Sequence, residues 1–100
     1  MRMLMIWRLG SAETNEAIRS GRMGEINKRL DDLTQPEAQY FCTEGGTRTG
    51  YVFFDLADPS DIPSIAEPLL QELNASVVYF PAMNAAELGE GLAKASAAST

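Results

Sequence analysis

Between Met3 and Arg8, and again between Ala38 and Leu56, apolar residues fill neighbouring positions rather than every second one. Successive side chains of a strand point to opposite faces, so strands built from these runs are apolar on both sides. In the first run Met3, Met5 and Trp7 alternate with Leu4 and Ile6. The second run folds at Gly45-Gly46 into a hairpin. Tyr40, Cys42, Tyr51 and Phe53 fall in one set of positions, and Phe41, Val52, Phe54 and Leu56 in the others. A last strand is predicted over Ala75 to Ala82, with Val77 and Tyr79 on one face and Val78 and Phe80 on the other.

Helical periodicity separates these strands. From Glu13 to Leu33, Ile18, Ile26, Leu30 and Leu33 recur at helical spacing behind a cap at Ser11 or Thr14. Gly21 and Gly24 interrupt the run, which predicts a short helix stopped by a left-handed Gly21 and a second from Met23 to Leu33. Pro36 closes it. Asp61 to Leu73 repeats the pattern with Ile62, Ile65, Ala66, Leu69, Leu70 and Leu73 on one face. Pro63 suits its first turn; Pro68 removes a backbone bond to Ser64 and predicts a kink. Asn84 and Glu87 have capping-box spacing and open a helix expected to run to Ala95.

The order is strand, helix, strand, strand, helix, strand, then a terminal helix. That is the ferredoxin-like βαββαβ pattern, an α+β fold with a four-stranded antiparallel sheet. We expect one such domain over residues 1–95 and a frayed tail over 96–100. Both crossover helices belong on one side of the sheet. The other side then carries roughly half of Met3, Met5, Trp7, Tyr40, Tyr51, Phe53 and Tyr79, an apolar patch larger than monomers expose. The expectation is a homodimer through the sheet face.

Composition removes several functions. Eight basic against fourteen acidic residues give a net charge of -6, which argues against nucleic acid as a partner. Arg19, Arg22, Lys28 and Arg29 cluster, but Glu16, Glu25, Asp31 and Asp32 are interleaved, as on a solvated helix face. The apolar opening stops at Arg8, too short for the core of a secretory leader, and no run reaches membrane-spanning length. Cys42 is the only cysteine, so no internal disulfide or thiol cluster is available, which fits a reducing cytoplasm. The chain has no histidine. Ser-His-Asp and Cys-His systems, histidine metal sites and an ordinary heme ligand are thereby excluded within one chain. No phosphate-binding glycine loop is present, and Glu87 and Glu90 lack further metal ligands. No cofactor is implied.

Four stretches carry a family likeness. They are Asn15 to Gly21, Pro36 to Phe41, Gly46 to Thr49, and Ile62 to Pro68 together with Asn74-Ala75. Over about residues 2–90 the chain resembles a family of short bacterial proteins of unknown function, itself similar to the dimeric α/β-barrel superfamily. The resemblance implies the ferredoxin-like fold and a dimer. The wider superfamily spans cofactor-free monooxygenases, isomerases, heme-degrading enzymes and purely binding members. The name panthothenate synthetase carried by some relatives does not suit a short chain without histidine.

Six residues are candidates for ligand binding. Trp7 serves a core or interface, or the wall of a pocket for a flat ligand. Asn15 and Arg19, one helical turn apart, would hold a carbonyl or carboxylate at a pocket mouth, or else solvate a helix. Tyr40 and Tyr79 carry phenols on strands that read as central. Arg48, after the glycine turn, would clamp an anion, reach the partner subunit, or simply face solvent. Glu37 is a general base only if buried, and Asp55 is of interest on the same condition. Cys42 reads as an inert buried thiol. The reading preferred from the residues is a small-molecule binding or structural module. The alternative is a cofactor-independent monooxygenase or isomerase acting on an aromatic or polyketide-like compound.

Overall fold

A computed structural model describes residues 1–98. Strand β1 (Arg2–Leu9) leads through α1 (Ala12–Ser20) and α2 (Arg22–Thr34) to the hairpin β2 (Ala38–Glu44) and β3 (Thr47–Asp55). A single 3-10 turn precedes α3 (Ile62–Leu73), followed by β4 (Ser76–Pro81) and α4 (Ala85–Ala98). The strands lie in the order β2-β3-β1-β4, and every neighbouring pair is antiparallel. This is the ferredoxin-like arrangement, with β1 and β3 in the centre.

Local chemistry sets the boundaries. Ser11, rather than Thr14, caps α1 by accepting the Thr14 N–H. The Ser11 and Thr14 hydroxyls also both donate to the Leu73 carbonyl, tying the start of α1 to the end of α3. Gly21 takes φ 82°, the left-handed geometry open to glycine at little strain, and separates α1 from α2. α3 runs unbroken through Pro68.

The register decides which half of each doubly apolar strand is covered. Met3, Met5, Trp7 and Leu9 are buried, as are Val52 and Phe54 opposite them on β3. They form one core with Ala17, Ile26, Leu30, Ile65, Leu69 and Leu73 of α1, α2 and α3. No described helix covers the opposite sheet face. Two of its cross-strand rows are apolar: Ala38, Phe53, Leu4 and Phe80 in one, Tyr40, Tyr51, Ile6 and Val78 in the next. The third row, Cys42, Thr49, Arg8 and Ser76, is largely polar.

Three expectations are corrected here. Tyr40 and Tyr79 stand on edge strands, because the two central strands are those that pair on both sides. Cys42 is exposed rather than buried, since it lies on the uncovered side of edge strand β2. The tail is helical to Ala98, three residues beyond the expected stop, because Ala95, Ser96, Ala97 and Ala98 contain no glycine or proline to end it. Ser99 and Thr100 lie outside the described residues.

The base of α4 is held firmly. Asn84 and Glu87 form a reciprocal capping box, each backbone N–H donating to the other's side chain. Arg2, from the open side of β1, donates to the Ala82 carbonyl, to Glu87 and to Glu37. The Asn84 N–H, and then Arg2, hold the Glu87 carboxyl below its usual range. A depressed carboxyl favours the folded form above its unfolded pKa of about 4.3 and loses that contribution as the pH falls through the folded value. Acidification is therefore expected to release the first turn of α4. In an NMR pH titration, the Asn84 and Glu87 amides should move with a midpoint below that of an ordinary glutamate. A midpoint at or above it would remove the clamp.

Candidate functional site

The helix-covered face of the sheet is not covered to its edge. Two successive rows on that face run Leu9, Arg48, Thr43 and Trp7, Gly50, Phe41, reading from β1 through β3 to β2. Rows on one face are about 7 Å apart, two residues of strand. α1 reaches the first row, where the Arg48 guanidinium donates to Asn15 Oδ1 at 2.7 Å. An open groove of about 420 Å³ lies there, lined by Leu9, Asn15, Thr43, Thr47 and Arg48 among others.

The second row is built around a missing side chain. The Trp7 indole lies across Gly50 so closely that a Cβ at Gly50 would fall 2.4 Å from Trp7 Nε1. Beyond it stands Phe41, its ring 6.0 Å from the indole, centroid to centroid, and nearly perpendicular. Trp7 is 2% exposed, and its indole N–H is buried without a hydrogen-bond partner. Buried donors are nearly always paired, so an orphan donor is informative. Phe41 is 59% exposed, since α1 does not extend over β2, and it forms the outer wall of this corner.

Charge sharpens the picture. Among the described residues, the carboxylates pair with Met1, Arg2, Arg8, Lys28 and Arg29; neither Arg48 nor Arg19 takes part in an ion pair. Arg19 is exposed on α1, one turn beyond Asn15. A chain of net charge -6 thus keeps the Arg48 guanidinium free of carboxylate partners at the groove.

Of the six candidates, the structure brings together Trp7, Asn15 and Arg48, with Arg19 one helical turn away. Tyr40 lies on the opposite, open face of the sheet. Tyr79 is on the helix side but across β1, opposite Met5. Its hydroxyl is buried and unpartnered, and burial pushes the phenol up, so it stays neutral. Glu37 is exposed and engaged by Arg2, and Asp55 is exposed and accepts from the Met1 amino group; neither is a buried base. Phe41 and Gly50 were not singled out as site residues. A lone glycine inside a strand signals close approach of another group, and Gly50 carried that signal.

A second, more enclosed cleft of about 260 Å³ lies at the far end of the sheet, between Leu33, Phe54, Leu56 and Ile65. Its polar groups include Asp55, Asp61 and Ser64, with no cation and no orphan donor among the lining residues. The corner at Arg48 is the better site on chemistry. Among the described residues no three or more His, Cys, Asp or Glu side chains come together as a metal site, and no described helix is long and apolar enough to cross a membrane. Comparison with family models, with curated proteins and with solved structures returns no match.

Proposed function

We propose that this protein is a small-molecule binding module, that its ligand is an aryl or arylalkyl carboxylate, and that it works as a homodimer through the open sheet face. The observation that carries the reading is the unpartnered Trp7 N–H beside Gly50, one row from the Arg48–Asn15 pair. Arg48 offers a fork of donors to a carboxylate, held in place by Asn15. Phe41 and the indole offer an aromatic wall about 7 Å away. A ligand ring that swings Phe41 aside reaches the indole donor. Aryl and arylalkyl carboxylates have their ring and charge at such a separation.

Binding is favoured over catalysis because the polar side chains gathered here are an indole, an amide, two threonine hydroxyls and a guanidinium. None of these exchanges a proton near neutral pH. The lone exposed Cys42 supports a reducing cytoplasmic setting. The likeness to the short bacterial family rests on the motif stretches together with this strand order.

Trp7 is the sole tryptophan and reports directly on the site. Titration with phenylpropionate is expected to change its emission saturably, while the neutral amide of the same acid binds at least tenfold more weakly. Arg48→Gln should weaken phenylpropionate binding about tenfold, roughly 1.4 kcal/mol, the scale of one charged hydrogen bond. No saturable change at millimolar acid, or equal affinity for acid and amide, would overturn the reading.

A further inference from the structure

We propose that α4 is an exchanged arm: in the dimer, each α4 packs its apolar stripe against the open sheet side of the second copy. The inference rests on the sheet-face pairing proposed above and says what completes it. No residue of α4 is buried within its own chain. Leu88 and Leu92, one turn apart, are exposed, and Met83 just before the helix is 64% exposed. The long axis of the molecule measures 58 Å. The longest strand, β3, spans only about 30 Å, and a helix of α4's length adds about 21 Å. α4 therefore extends beyond the body instead of folding back over its own sheet.

Its origin favours the open side. Arg2, on that face of β1, bonds both the Ala82 carbonyl and Glu87, so the helix leaves from the end of the sheet where the two apolar rows lie. Its stability asks for a partner as well. Gly89 and Gly91 sit inside α4, each unfavourable by about 1 kcal/mol relative to alanine, and an isolated helix this short is marginal in water.

Area points the same way. Two rows across four strands cover about 14 Å by 19 Å. Two such faces in contact bury roughly 530 Å² in projection, less than half of the ~1,200 Å² at which standard stable interfaces begin. Two arms, each about 21 Å by 10 Å and each laid on the part of the partner's open side that those two rows leave free, add roughly 800 Å² and carry the total past that threshold. A two-fold axis makes the exchange reciprocal.

The test places a nitroxide spin label on Leu92→Cys in a Cys42→Ser background. Labelled protein at natural isotope abundance is mixed with unlabelled, ¹⁵N-enriched protein. The expected result is a dimer by light scattering in which ¹⁵N amides around Leu4, Ile6, Tyr51 and Phe53 are broadened by the label on the other chain. Leu88→Glu with Leu92→Glu should raise the dimer dissociation constant at least fiftyfold while leaving the strand amides folded. A dimer without intermolecular broadening overturns the arm and leaves the sheet-face pairing standing. A monomer overturns both. In a second sample the nitroxide sits on the ¹⁵N-enriched chain, diluted into unlabelled protein; broadening of those amides there, with none in the first sample, shows that α4 covers its own sheet and also overturns the proposal.

Discussion

Replacing Gly50 with alanine is expected to destabilise the protein by about 3 kcal/mol, a large share of the ~5–15 kcal/mol available to a domain of this size. The reason is local. Gly50 has ordinary extended backbone, so alanine brings no conformational strain there; the added methyl instead meets Trp7 Nε1 at 2.4 Å. The indole cannot move aside freely, because Trp7 is packed within the main core. Either β1 and β3 separate locally or the ring leaves its rotamer, and both disturb the core. Thermal unfolding of Gly50→Ala should therefore show a melting temperature lowered by well over ten degrees, on the scale of about 4–8 degrees per kcal/mol for small domains. The companion variant is Trp7→Leu, whose smaller side chain frees the space. In that background Gly50→Ala should be worth less than about 1 kcal/mol, a coupling that a double-mutant cycle reads directly. If Gly50→Ala is nearly neutral in the wild-type background and the Trp7 emission is unchanged, the indole does not lie across Gly50.

Charge placed on the open face should weaken the proposed pairing severely while leaving the protomer folded. Tyr40 is 70% exposed on edge strand β2 and Phe80 is 50% exposed on edge strand β4. Neither belongs to the main core, so glutamate at both positions removes little packing within the chain. In a symmetric dimer each new carboxylate enters an apolar interface together with its symmetry mate. Tyr40→Glu with Phe80→Glu is expected to weaken association at least a hundredfold, about 2.7 kcal/mol, with the melting temperature of the dilute protomer nearly unchanged. Analytical ultracentrifugation across a concentration series decides it. An equally tight dimer would place the interface elsewhere.

Much of the fold was legible because it rests on local rules. The Gly45-Gly46 turn, the left-handed Gly21, the Asn84–Glu87 capping box and the strand-helix order each follow from residues close in sequence. Which face of β1 turns inward was not legible, because Met3, Met5 and Trp7 are no more apolar than Leu4 and Ile6; only packing of the helices chooses between them. Edge and centre were equally hidden, so the phenols of Tyr40 and Tyr79 and the Cys42 thiol read as more central than they are. The site was legible as a set of residue types, since Trp7, Asn15, Arg19 and Arg48 carry the aromatic and hydrogen-bonding groups that a ligand needs. Its geometry depends on the register that sets Gly50 between Trp7 and Phe41, and register between strands distant in sequence is a tertiary property. Gly50 and Phe41 became site residues only through that pairing.

The most direct test of an aryl-carboxylate site at this corner is an NMR titration of the ¹⁵N-labelled protein with phenylpropionate. The expected result is a contiguous set of shifted amides at Asn15, Thr43, Thr47, Arg48 and Gly50, together with the single indole N–H of Trp7. Shifts clustered at the far cleft around Leu33 and Ile65, or no shifts at millimolar ligand, would contradict it.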